Sequence, residues 1–250
     1  MIEPHRRIHA CGGLVECTFE SPAASAFRSR HRVSINGAMS NELQGVLELP
    51  AGDVKAPGVI VIHEWWGLND QIKTSLKRWT EEGFVAFAPD LYHGKVIPIG
   101  QSDAAAAAMN ALDFPAAVKQ IGEAVAMLKA HPRCNGKLVV TGYCMGGALT
   151  LATAVNVSGL AAVIPFYGLP GDLDWSKVDA PIQAHFAQHD DWATVAGAQK
   201  VKESVKVPME LHTYDAQHAF CNEQRPEVYN ADACRQAWGR AVAFARAHAR

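Results

Sequence analysis

The stretch Gly142-Tyr143-Cys144-Met145-Gly146-Gly147 decides the fold of this chain. It follows an apolar run over 137–141, which predicts a buried strand, and it leads directly into a helical pattern over 148–155. Gly-x-Cys-x-Gly between a strand and a helix is typical of a nucleophile elbow, whose central residue stands on a strained turn. The flanking glycines allow close approach of neighbouring backbone, and we expect the Cys144 side chain to point into solvent at the edge of the sheet.

Strand and helix patterns alternate on both sides of this elbow. Strands are predicted at 58–62, 84–88, 137–141, 161–165, 182–186 and 209–213, and helices at 148–155, 193–204 and 229–247, with three more beginning near 69, 103 and 114. Val33, Ile35 and the residues over 43–49 predict an antiparallel hairpin ahead of them. The alternation predicts an α/β-hydrolase fold, a mostly parallel central sheet with helices on both faces.

Composition indicates a single globular domain over 31–250, preceded by an N-terminal extension over 1–30 in which no period is sustained. The chain is 49% hydrophobic and 19% charged, and a net charge of −2 offers no broad positive field for nucleic acid. No apolar run is long enough to span a bilayer. We expect a cytoplasmic protein with no membrane partner, either a monomer or a small homo-oligomer.

The six cysteines stand at 11, 17, 134, 144, 221 and 234, without the spacing of a zinc site or the density of a disulfide scaffold. Most are therefore expected to be free thiols. For Cys11 and Cys17 a metal or disulfide role stays open beside that of incidental thiols, and no role is assigned to them. The chain has no dinucleotide fingerprint, phosphate loop or His-Glu-x-x-His pair, so the prediction is no cofactor and no metal.

Three residues predict nucleophilic catalysis. The helix that begins after Cys144 favours negative charge on its sulfur and on a developing oxyanion. Asp190 follows one predicted strand and His218 follows the next. Nucleophile, acid and histidine in this order are typical of the fold, in which all three arrive at the same edge of the sheet.

Structural alternatives exist for each of these residues. Cys144 could be a small buried apolar residue in a tight turn. Asp190 could cap a helix, as its neighbour Asp191 equally could, and His218 could be a histidine on a surface loop.

With these motifs the chain resembles the dienelactone hydrolases of the α/β-hydrolase superfamily over roughly 33–247. The resemblance is carried by His63-Glu64-Trp65-Trp66-Gly67, Ala88-Pro89-Asp90-Leu91-Tyr92, the elbow, the Asp190 segment and His218-Ala219-Phe220.

The resemblance implies a triad of Cys144, Asp190 and His218, with Glu64 as the carboxylate that contacts the resting thiol. It also implies an oxyanion hole formed by the backbone N–H groups of Trp65 and Met145. Repulsion from Glu64 would disfavour a free thiolate until substrate displaces the carboxylate, which limits oxidation of the resting enzyme. A strand-end carboxylate that faces water is the alternative for Glu64.

Substrate recognition is expected to depart from the family pattern. The members of the family that cleave dienelactones bind the substrate carboxylate with two arginines, but residues 101–105 contain none and the position four residues after His218 is Asn222. Arg225 could reach the mouth of the pocket, or it could be an exposed loop residue. An aromatic pocket is expected from five side chains, Trp65, Trp66, Tyr92, Trp192 and Phe220. Core packing would explain each of them equally well.

These features predict a hydrolase that cleaves a small ester or lactone through a cysteine acyl-enzyme, with a preference for neutral substrates. The alternatives are a short-chain carboxylesterase or thioesterase on the same apparatus, and a non-catalytic redox sensor in which Cys144 is an oxidisable thiol.

Overall fold

The computed structural model describes residues 43–249, which form one seven-stranded sheet in the order β1-β3-β2-β4-β5-β6-β7. The strands are β1 (Gly45–Glu48), β2 (Ala56–Ile62), β3 (Val85–Pro89), β4 (Cys134–Tyr143), β5 (Ala162–Phe166), β6 (Ile182–His189) and β7 (Met209–Gln217). Strands β2 to β7 pair in parallel, and β1 pairs with β3 antiparallel at one edge. The predicted α/β-hydrolase fold with its mostly parallel sheet is confirmed.

Six α-helices accompany this sheet, and helices pack on both of its faces; five lie between strands in sequence, and the sixth follows the last strand. They are α1 (Asp70–Glu81), α2 (Ser102–Asn110), α3 (Phe114–Ala130), α4 (Met145–Asn156), α5 (Val195–Ser204) and α6 (Ala231–His248), and a short 3₁₀ helix spans Trp175–Lys177. Each predicted helix and each predicted strand of the parallel sheet is present, with ends displaced by a few residues. The predicted extension over 1–30, the strand residues Val33 and Ile35, and Cys11 and Cys17 lie outside the described residues.

Local sequence explains where the helices begin and which faces they bury. The Asn69 side chain accepts a hydrogen bond from the Ile72 backbone N–H and so caps α1, and Asp113 caps α3 by accepting one from Ala116. In α1 the apolar residues at helical spacing, Ile72, Leu76 and Trp79, are all buried against the sheet.

The core lies on both faces of the sheet, because the central strands are buried on both sides. Four consecutive residues of β2, Val59 to Ile62, are 0% exposed, and alternate residues join one or the other of two apolar clusters. A buried aliphatic side chain contributes about 1.5–3 kcal/mol to folding, so this strand anchors the layers above and below it. Among residues 43–249, no helix is long and apolar enough to cross a membrane.

The expectation of mostly free thiols is wrong for half of the cysteines that the structure describes. Cys221 and Cys234 form a disulfide, with Cα atoms 4.9 Å apart, whereas Cys134 and Cys144 are free. The disulfide ties the connection after β7 to helix α6. The two cysteines are 13 residues apart in sequence, and this spacing alone does not reveal that the fold brings them together.

We expect Cys234→Ala to lower the free energy of unfolding by about 2–4 kcal/mol, because a disulfide that closes a short loop restricts the unfolded chain. Urea unfolding with and without a dithiol reductant measures this. Reductant should destabilise the wild type to the level of the variant and leave the variant unchanged. Cys134→Ala, which removes a buried free thiol, is the control and should lose less. Unchanged wild-type stability in reductant would contradict the prediction.

Candidate active site

Cys144 occupies the strained turn between β4 and α4. Its backbone has φ 56° and ψ −119°, a conformation that is rare for any residue other than glycine. Gly142 and Gly146 make the turn possible, because a Cβ atom at Gly142 would collide with the Gly146 carbonyl oxygen and one at Gly146 with the Ile62 carbonyl oxygen. The Cys144 N–H donates to the Phe166 carbonyl at 3.1 Å and fixes the elbow to β5.

The Cys144 side chain does not point into solvent as the sequence suggested. The residue is only 6% exposed. Burial raises the pKa of the Cys144 thiol, and the nearby Glu64 charge raises it further. Hydrogen bonds from the backbone N–H groups of Met145 and Trp65 act in the opposite direction. The sulfur thus rests against the two donors expected to form the oxyanion hole, as a neutral thiol.

Asp190 and His218 meet at the carboxyl ends of β6 and β7. The His218 Nδ1 lies 2.6 Å from Asp190 Oδ2, and the Asp190 side chain is fully buried whereas that of His218 is 25% exposed. Burial acts to raise the pKa of Asp190, but the hydrogen bond and charge of His218 outweigh it and hold that pKa below its usual value. Asp190 is therefore an ionised partner that orients the imidazole.

The two adjacent carboxylates have different surroundings. Asp190 Oδ1 accepts hydrogen bonds from the backbone N–H groups of Trp192 at 2.9 Å and Ala193 at 2.8 Å, so it also orders the turn that follows β6. Asp191 is exposed, and the cap of α5 is the Thr194 side chain. The geometry brings Asp190, and not Asp191, to His218.

Glu64 is buried beside the thiol at the end of β2. It is 3% exposed, and burial raises its pKa to about 7 despite the opposing influences of the His218 charge, a hydrogen bond from Asn222 and the Arg225 charge. A carboxylate that simply faces water would not be desolvated in this way. Glu64 is therefore poised between its neutral and ionised forms near neutral pH.

The predicted aromatic pocket divides into two groups. Trp66 and Phe220 are 2% and 0% exposed and pack in the core, behind the surface of the site. Tyr92 and Trp192 border the site. Burial is the main cause that raises the pKa of Tyr92 to about 12, and the Cys144 charge adds to it. The Trp192 ring lies edge-on to the His218 ring, with centroids 5.2 Å apart. The Tyr92 hydroxyl donates to the Met145 sulfur at 3.4 Å, while Trp65, half-buried, packs edge-on against Trp66.

Arg225 lies at the rim of the site. Its side chain is 22% exposed, its Nε donates to Glu227 Oε1 at 2.8 Å, and its charge contributes to lowering the pKa of Glu64. Two carboxylates therefore already face this guanidinium.

Sequence patterns missed two residues that shape the site. The Asn222 side-chain amide donates to Glu64 Oε2 at 2.5 Å. Tyr167, also buried, has φ 34° and places its ring edge-on to His218 at 5.3 Å. Both are polar residues that follow strands or strand-end loops, a weak signal that many surface residues share. Among residues 43–249, no group of three or more His, Cys, Asp or Glu side chains is arranged to hold a metal ion.

A parallel sheet with an elbow cysteine after its central strand, and with an acid and a histidine after later strands, defines an α/β-hydrolase. The sequence profile of the dienelactone hydrolase family matches residues 43–249. The chain belongs to the dienelactone hydrolase family and is a hydrolase of that family.

Several known proteins are similar to this chain over most of their length. "Protein usf" of Aquifex pyrophilus is 38% identical over 75% of this chain and 87% of its own length. A carboxymethylenebutenolidase of a Pseudomonas species is 29% identical over 84% of this chain and 92% of its own length. Among solved structures, a dienelactone hydrolase-like promiscuous phosphotriesterase from metagenomic libraries has a TM-score of 0.71 and 22% identity, and the alignment covers 82% of this chain and 92% of that one.

We expect Asp190→Asn to reduce kcat by about 100-fold to 10,000-fold, because an amide neither balances an imidazolium nor selects the productive tautomer. Asp191→Asn is the matched control, since it makes the same chemical change one residue away, and it should alter kcat by less than about threefold. Steady-state kinetics on a chromogenic ester compares the two variants. Equal losses of kcat, or a larger loss for Asp191→Asn, would show that Asp190 is not the acid that orients His218.

Proposed function

We propose that this hydrolase cleaves a carboxylic ester or lactone through an acyl-enzyme on Cys144. The observation that carries the proposal is the hydrogen bond between Asp190 and His218, at the edge of the sheet that also bears the elbow cysteine. It supplies an oriented base at the same sheet edge as the Cys144 thiol, to which the backbone N–H groups of Met145 and Trp65 donate. The carboxymethylenebutenolidase name of one relative supports a lactone as one substrate class.

The proposed reaction uses each of these groups in turn. His218 accepts the thiol proton while the Cys144 sulfur forms a bond to the substrate carbonyl carbon, and the carbonyl oxygen becomes an oxyanion held by the Trp65 and Met145 N–H groups. The C–O bond then breaks, and the leaving alkoxide takes the proton from His218. Water attacks the thioester, gives a proton to His218, and releases the carboxylic acid as the proton returns to the Cys144 sulfur.

Burial of Glu64 suits the resting state of this cycle. Burial raises the pKa of the Cys144 thiol, and an ionised Glu64 raises it further, so the thiol stays protonated until substrate enters. Because thiolates oxidise more readily than thiols, this carboxylate limits damage to the nucleophile between turnovers.

A thioesterase or short-chain carboxylesterase would use the same residues, so the acyl and leaving groups distinguish them. A redox sensor is the second class, and the buried, protonated state of Cys144 argues against it, since sensor cysteines are exposed thiolates. Location in the cytoplasm stays a prediction, as does the oligomeric state.

Cys144→Ala should remove nearly all ester hydrolysis and leave the fold intact, because it deletes one sulfur atom and no backbone contact. Cys144→Ser should also be poor, since a hydroxyl beside Glu64 is far harder to deprotonate than a thiol. Turnover of a chromogenic ester measures both, with circular dichroism as the test of folding. Cys134→Ala, at the second free cysteine within residues 43–249, is the control and should keep wild-type turnover.

Mass spectrometry after rapid quenching should detect the acyl group on Cys144 of the wild type. Turnover of Cys144→Ala above a few per cent of the wild type would overturn the nucleophile assignment. Ester hydrolysis that persists after stoichiometric alkylation of Cys144 would also overturn this assignment.

We expect neutral esters to be preferred over anionic lactones. A carboxylate that enters a desolvated pocket costs several kcal/mol unless a cation meets it, and the Arg225 guanidinium already faces Glu227 and Glu64. Comparing kcat/KM for an anionic lactone and its neutral methyl ester tests this.

Arg225→Ala should leave that ratio nearly unchanged, as should the control Arg235→Ala, whose side chain pairs with Asp232 on the exposed face of α6. A tenfold preference for the anion, about 1.4 kcal/mol of transition-state stabilisation, that Arg225→Ala abolishes would contradict the proposal and make Arg225 the anion contact.

A further inference from the structure

Asn222 is the most completely buried polar residue of the loop that follows His218. It is 0% exposed, and it stands immediately after Cys221, whose disulfide to Cys234 anchors this loop to α6. A polar side chain is buried at a cost unless its hydrogen-bonding groups are paired. The partners of Asn222 therefore indicate what the residue does.

Every polar group of Asn222 has a partner. The backbone N–H donates to the Ala219 carbonyl at 2.8 Å, and the carbonyl oxygen accepts from Arg225 N–H at 3.0 Å. The side-chain oxygen accepts from the Gln224 N–H at 3.0 Å, which leaves the amide nitrogen to donate to Glu64 Oε2. Loop contacts fix the residue, and its one long-range bond is directed at Glu64.

The amide is suited to hold a carboxylate without carrying charge itself. A hydrogen-bond donor to Glu64 favours the ionised carboxylate, as a cation in the same place would. Unlike a cation, the amide adds no positive charge to the site. The titratable and charged groups that face Glu64 come from three other elements: the imidazole of His218 and guanidinium of Arg225 from the same loop as Asn222, Tyr167 after β5, and Tyr143 and the thiol of Cys144 at the elbow.

We propose that Asn222 is a positioning residue for Glu64, whose buried amide holds the carboxylate ionised against the Cys144 thiol in the substrate-free enzyme. It acts on Cys144 only through Glu64. The proposal rests on the proposed function for its biological meaning, since a restrained thiol matters only if Cys144 is the nucleophile.

Removal of the donor should make Glu64 harder to ionise and release the thiol from its repulsion. If the pKa of Glu64 rises by one unit from about 7, its neutral fraction at pH 7.5 increases about threefold. The Cys144 thiol of the substrate-free enzyme should then be alkylated about threefold faster at that pH. Below about pH 6, where Glu64 is neutral in both proteins, the two rates should converge.

The test measures the rate at which iodoacetamide alkylates Cys144, followed by mass spectrometry of the peptide that carries this residue. The pH runs from about 5.5 to about 9, which brackets the Glu64 pKa of about 7. The variants are Asn222→Leu, which has a similar volume and no donor, and Asn222→Ala, which serves if leucine impairs folding. Gln224→Ala is the control: Gln224 is an exposed neighbour whose side chain accepts a hydrogen bond from Asn69, and this variant should show the wild-type profile.

A second arm asks whether the effect passes through Glu64. In a Glu64→Gln background, Asn222→Leu should not change the alkylation profile any further, because no carboxylate is left to titrate. The infrared carbonyl band of protonated Glu64, assigned by its loss in Glu64→Gln, should shift its midpoint upward by about one pH unit in Asn222→Leu.

An unchanged profile and an unchanged infrared midpoint in both Asn222 variants would overturn the proposal. An acceleration that persists in the Glu64→Gln background would also overturn it, because Asn222 would then act on the thiol by another route. No substrate is used in either arm, so failure of the proposed ester hydrolysis would be seen separately, in the turnover of wild type and Cys144→Ala.

Discussion

The backbone at Cys144 has to leave a buried parallel strand and begin a helix within one residue, and the geometry of the site depends on that turn. The positive φ of Cys144 is tolerated because glycines on both sides let the Ile62 and Gly146 backbones approach the turn closely. The same turn directs the N-terminal N–H of α4 at the sulfur. The end of β2 supplies the second N–H, from Trp65, so two adjacent strands of the sheet together define where an oxyanion can sit.

Two buried carboxylates, Asp190 and Glu64, lie close to this turn and to His218. Asp190 is held ionised by His218, whereas Glu64 is desolvated enough to be only partly ionised near neutral pH. The two carboxylates differ because hydrogen bonds from His218 and backbone N–H groups, with the His218 charge, offset burial at Asp190, whereas burial prevails over such contacts at Glu64. The contrast supports the roles proposed for them, orientation of His218 by Asp190 and restraint of the resting thiol by Glu64.

Sequence reasoning located the sheet, the helices and the residues that the fold brings to one edge, because those depend on periodicity and on the order of motifs along the chain. It failed where the answer depends on distant segments meeting. The burial of Cys144 depends on tertiary packing that no local period describes, and Asn222 meets Glu64 across 158 positions of sequence. The Cys221–Cys234 disulfide likewise follows from how the loop after β7 returns to α6. The start of the expected hairpin, at Val33 and Ile35, lies outside the described residues and stays a prediction.

Burial of Glu64 also makes the native state itself a proton acceptor. Its pKa is about 7 in the folded protein and close to the ordinary 4.5 once the chain unfolds, so folding takes up a proton between these values. The contribution of Glu64 to folding is therefore most favourable below about pH 4.5 and is lost as the pH rises through about 7. Above neutrality the enzyme keeps a desolvated negative charge that a glutamine would not impose. The fold therefore loses the Glu64 contribution in the same pH range in which the ionised carboxylate is proposed to keep the Cys144 thiol protonated.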